Sequence, residues 1–139
     1  MGPLTLIDPA RPGSVLSTGL EQVACFSWSP DGKRLVAFVP RLVPAPDPTL
    51  LFGVFLVDAA TGESALAAVV RPTAEIITGV VPFFDQYLRS STIWSPDGTH
   101  VVLNAVGQDG TPGIYLLAAA QRGPLQLLAK GTLPFWSPR

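Results

Sequence analysis

The segment Trp-Ser-Pro-Asp-Gly occurs at 28–32 and again at 94–98. Each copy sits inside a longer match. Phe26-Ser27-Trp28-Ser29-Pro30-Asp31-Gly32-Lys33-Arg34-Leu35-Val36-Ala37-Phe38 aligns with Thr92-Ile93-Trp94-Ser95-Pro96-Asp97-Gly98-Thr99-His100-Val101-Val102-Leu103-Asn104. Phe135-Trp136-Ser137-Pro138-Arg139 begins a third copy. A repeated unit must bury its apolar faces against its neighbours, so this pattern limits the chain to stacked architectures.

Each piece of the repeat has a readable local structure. Ser-Pro-Asp-Gly is a type I turn, with Pro fixing φ at the second position and Gly free to close a hairpin through a bulge. The apolar, β-branched runs that follow, 34–38 and 100–104, read as strands. A second element also repeats: Leu4-Thr5-Leu6-Ile7-Asp8, Val54-Phe55-Leu56-Val57-Asp58 and Ile114-Tyr115-Leu116-Leu117-Ala118. It reads as a strand with a turn after it, leading to further strands at 65–70 and 125–128. The unit is thus four strands, a to d, with a carrying the Trp. Continuous apolar runs rather than strict alternation predict sheets covered on both faces. No stretch has sustained helical periodicity, and only a helical turn around 85–89 is predicted.

Four short strands per repeat at a spacing near 40 residues is the pattern of a β-propeller blade. Trp94 and Trp136 are 42 residues apart, whereas Trp28 and Trp94 are 66 apart, so the first full unit carries insertions. The chain resembles the TolB-like propeller repeats, marked by a Trp-Ser-Pro-Asp-Gly hairpin, an apolar strand and a strand ending in Asp. The resemblance implies an all-β, incomplete β-propeller of about 2.5–3 four-stranded antiparallel blades. Its predicted parts are 1–25 (strands c and d), 26–91 (a full blade with two insertions), 92–134 (a full blade) and 135–139 (a first strand), eleven strands in all. Such repeats occur in the periplasmic TolB protein, in propeller domains of prolyl-oligopeptidase-type peptidases and in many other bacterial proteins, so the resemblance leaves the compartment open. An arc this short exposes apolar blade faces. Three arrangements fit: part of a longer propeller chain, two copies closing a six-bladed ring as a homodimer, or a sheet packing that is not a propeller.

Composition bounds the function. The chain has 139 residues, enough for one domain. Charged residues are 14%, against roughly 25% in a typical soluble domain, and hydrophobic residues are 47%. With a formal net charge of −1 and no basic stripe, a nucleic-acid partner is not predicted. Every apolar run is broken too early for a membrane-spanning helix, so no membrane insertion is predicted, and the N-terminus does not read as a signal peptide. One Cys and one His exclude an intrachain disulfide and a Cys/His zinc site. Cys25 reads as a small core residue, and the three Trp residues as packing between units. Asp8, Asp31, Asp58 and Asp97 read as turn formers; calcium would need more converging oxygens than spaced turns offer. His100 reads as solvent-facing, with no partners for a triad. Phosphate loops and paired-carboxylate motifs are absent, so neither a cofactor nor an enzyme is predicted.

Function is predicted in the insertions, 40–53 and 71–91, which strand order places on one face of one blade. Long loops on a rigid scaffold commonly bind. Pro44 and Pro46 belong to a stiff, extended segment. Phe83, Phe84, Asp85, Gln86, Tyr87 and Arg89 form a candidate recognition patch; alternatively the aromatics plug the core and Asp85 caps a turn. The predicted function is a non-enzymatic scaffold for a protein or peptide partner. The alternative implied by the resemblance is the propeller portion of a prolyl-oligopeptidase-type serine peptidase, its hydrolase domain lying outside this chain.

Overall fold

The structure, a computed structural model, describes residues 1–44, 46, 48–87, 89–120 and 123–137. Among these residues nine strands form three antiparallel sheets. β1 (Thr5–Ile7) pairs with β2 (Val15–Ser17). β3 (Cys25–Trp28), β4 (Arg34–Val43), β5 (Thr49–Asp58) and β6 (Ser64–Val70) form a four-stranded meander. β7 (His100–Val106), β8 (Pro112–Ala118) and β9 (Gln126–Lys130) form a three-stranded one. Among the described residues the sheets do not close into a barrel.

The repeated motif makes the same turn twice. Gly32 N–H donates to the Ser29 carbonyl and Gly98 N–H to the Ser95 carbonyl, both at 2.9 Å. Both glycines have φ +68°, a conformation that a Cβ would strain. The Ser29 hydroxyl donates to Asp31 (2.7 Å) and accepts from Arg34 N–H (3.0 Å). Ser95 repeats this with Asp97 (2.6 Å) and His100 N–H (2.9 Å). The Asp58 carboxylate takes the N–H groups of Ala60 and Thr61 after β5. The third unit has Ala118 there, yet Ala119 N–H still reaches the Thr99 carbonyl, as Ala59 N–H reaches that of Lys33.

The sheets stack through the faces of the central one. Leu35, Val36 and Ala37 in β4 are all fully buried because both faces are covered. Leu35, Ala37 and Val57 pack with Leu4, Leu6 and Leu20 of the β1–β2 side. Val36, Phe52 and Val54 pack with Trp94, Val101 and Leu117 of the β7–β9 side. Trp94 is fully buried, and its indole N–H donates to the Ser27 carbonyl at 3.1 Å. Arg34 reaches the Ala119 carbonyl (3.1 Å), and the Ser64 hydroxyl reaches that of Thr18 (2.9 Å). β5 and β8 each slip register against the next strand at aligned positions, Val54/Phe55 and Ile114/Tyr115.

Four expectations need correction. The 40–53 segment is mostly strand, since β4 and β5 stay paired out to Val43 and Thr49, leaving a tip at 44–48. Pro40 is tolerated inside β4 because it faces the side where β3 has ended. Phe38 accepts from Ala24 N–H on that side, and Pro40 lies two residues further on. The predicted a strand of the third unit is a single bridge, Trp94 to Val101. The strand predicted at Phe135 is also a single bridge, from Trp136 back to Thr92; Pro138 and Arg139 lie outside the described residues. Finally, the helical turn expected at 85–89 is the end of a longer irregular helical segment. A π turn (Ile76–Val80), a 3₁₀ turn (Val81–Phe83) and an α turn (Phe84–Tyr87, α1) follow one another.

Trp94→Ala should cost about 3–5 kcal/mol, a large part of a typical domain's stability. Trp94→Phe, which loses the N–H and some volume, should cost about 1–3 kcal/mol. Urea unfolding of the three proteins measures both.

Candidate functional site

The helical segment 76–87 closes the end of the central sheet from which the β4–β5 hairpin projects. Phe84 is its anchor, meeting Phe38 edge-on at 6.1 Å between ring centroids, and Phe38 meets Phe52 the same way at 6.4 Å. Tyr87 stacks on Phe135 at 6.1 Å with the rings 19° apart. These contacts fix the segment, and they place Phe84 and Tyr87 with the packing residues. The other candidates face outward. Phe83 is 49% exposed, and Asp85, Gln86 and Arg89 are exposed. The Asp85 carboxylate, expected as a turn cap, has no hydrogen-bond partner among the described residues. Pro44 and Pro46 are exposed at the hairpin tip, whose Ala45 and Asp47 lie outside the described residues, as does Leu88. Leu42 and Val43 beside the tip are also exposed.

Two concavities adjoin this segment. The smaller, about 70 Å³, is apolar and lies between Phe38, Phe52, Val80, Phe84, Ile93 and Phe135. Asn104 and Cys25 also line it. Asn104 donates to the carbonyls of Gly113 (3.3 Å) and Gly131 (2.9 Å), while its Oδ1 is buried without a partner. The larger is an open groove of about 610 Å³, within the range of small-ligand sites. Its walls are the N-terminal residues 1–4, residues 23–28 along β3, and Val81, Pro82, Phe84 and Asp85. Phe26 and Trp28 of β3 are 41% and 46% exposed. Sequence reasoning assigned Trp28 to packing, and its place in the repeat, shared with the buried Trp94, carries no sign of the difference.

Four of the carboxylates are held by hydrogen bonds within turns. Hydrogen bonds from Ser95 and Thr99 hold Asp97 down at about 2, and the bond from Ser29 likewise lowers Asp31. The backbone N–H groups of Thr61 and Ala60 lower Asp58, and Thr111 lowers Asp109. Burial pushes the Cys25 thiol up to about 12, so it stays protonated and unreactive at neutral pH. Among the described residues, no group of three His, Cys, Asp or Glu side chains is placed to hold a metal ion, and no helix is long and apolar enough to cross a membrane. Comparison of the chain with protein-family profiles, curated proteins and solved structures finds no match.

Carboxylates with depressed pKa values stabilise the fold above their unfolded value of 3.8, and that contribution is lost as pH falls through the folded values. The thermal midpoint should therefore fall between about pH 4 and pH 2, and Asp97→Asn should flatten part of that fall; calorimetry across this range measures it. With its pKa raised from 9.0 to about 12, native Cys25 holds roughly a thousandfold less thiolate at pH 8 than a free thiol. An aromatic disulfide reagent should label it slowly when native and at once in denaturant.

Proposed function

We propose that this chain is a non-catalytic scaffold of TolB-like propeller blades that binds an extended protein or peptide segment through the insertion face. The observation that carries this reading is Phe83. It is a large apolar side chain, 49% exposed, on a segment held rigid from below by Phe84 and Tyr87. Asp85, Gln86 and Arg89, which follow it in sequence, are exposed as well. A fixed aromatic with polar groups around it is the usual make-up of an interface centre. Because the neighbours include an acid, an amide and a base, they suit a partner with main-chain polar groups and mixed charge. The exposed Leu42 and Val43 add apolar area at the base of the Pro44–Pro46 tip.

The test uses peptides selected from a random display library against the wild-type chain. Phe83→Ala should weaken the selected peptides at least about tenfold, and Arg89→Ala should weaken those of acidic character. Selected peptides that bind both variants as they bind the wild type overturn the reading.

A further inference from the structure

The relation between Trp94 and Ser27 is a template that, among the described residues, one of the three repeat tryptophans satisfies and Trp28 and Trp136 do not. Trp94 lies against the central sheet, and its indole N–H bonds the carbonyl of the residue before Trp28. Trp28 holds the same place in its own unit, but its indole is 46% exposed, and its N–H has no acceptor among the described residues. The reason is geometric. Trp28 pairs with Leu35 and Phe26 with Ala37, so all four share one face of the sheet. The β1–β2 side covers Leu35, Ala37 and Val57 of that face. It leaves the column over β3 open, and that opening is the 610 Å³ groove.

A segment suited to the groove is present elsewhere in the chain. Phe135-Trp136-Ser137 repeats the pattern of Ser27-Trp28-Ser29, with Phe135 where Ser27 supplies its carbonyl. This segment is held on its own unit by the Thr92–Trp136 bridge and the Tyr87–Phe135 stack. Its contacts are nonetheless incomplete, because the Trp136 indole N–H is buried without a partner. We infer that the groove seats the Phe135–Trp136 segment of a second copy of this chain, with Trp28 Nε1–H donating to the Phe135 carbonyl as Trp94 donates to that of Ser27. The same two copies exchange segments about a twofold axis, so both grooves are filled and the pair closes without further growth. Apolar surfaces of Phe26 and Trp28 leave water in the process. The inference rests on the blade-stacking reading above, but not on the binding role of Phe83.

The experiment is light scattering of the full chain across a concentration series, with circular dichroism to check folding. The wild type should pass from 14.7 kDa to about 29 kDa, twice that mass. Trp28→Ala should raise the dimer dissociation constant at least about thirtyfold, as for an interface centre. Trp28→Phe keeps the ring and removes only the donor, and it should raise the constant roughly threefold to tenfold. A wild type that stays at 14.7 kDa at every concentration overturns the proposal, as does a mass that rises without a plateau. A dimer as tight in folded Trp28→Ala as in the wild type also overturns it. Peptide binding at Phe83, read on the same samples, separates a failure here from a failure of the insertion-face reading.

Discussion

Trp94 is the contact on which the stacking of the two larger sheets depends. Its ring is fully buried in the cluster between β3–β6 and β7–β9, and its one polar atom is satisfied by the Ser27 carbonyl. A buried indole without an acceptor would lose much of what its apolar area gains, so the position of β3 and the identity of Trp94 are coupled. Each of these two sheets buries one face against the other, and the central sheet buries its second face against the β1–β2 side. The low charge content follows from this: β4 and β7 carry runs of buried residues where a two-faced sheet would alternate apolar with polar.

The Ser-Pro-Asp-Gly turns give the sheets their register independently of that packing. The Ser hydroxyl bridges the Asp carboxylate and a backbone N–H five residues on, and the same two bonds recur in both copies. Such a turn is specified within six residues, so the hairpin can form before its faces are covered. The helical segment 76–87 works the other way. It has little local specification and is held by Phe84 and Tyr87 against rings from distant parts of the chain.

That contrast explains what could be read from the sequence. The repeats, the turns and the hairpin pairings rest on short-range chemistry, and the two-face burial of the central sheet shows in its unbroken apolar runs, so these were legible. The tip of the β4–β5 hairpin was not, because four prolines between 40 and 48 suggest a loop, whereas Pro40 sits on a free edge that needs no donor. The first strand of the third unit shrinks to a bridge because packing of Trp94, rather than a ladder, holds it in place. Among the candidate residues, composition marked the right segment but could not divide it. Phe83 faces outward and Phe84 inward only because of where Phe38 stands.

The paired register slips at Val54/Phe55 and Ile114/Tyr115 bear on solubility. A bulge coils the strand and increases local twist, and a twisted outer edge is a poor template for a further strand. β6 and β9 are the outer strands beside those bulges, and β9 is exposed along its whole length, with Leu127 and Leu128 bare. In a flat sheet such an edge would invite amyloid-like extension. Here the bulges, together with Lys130 at the end of β9, act as gatekeepers.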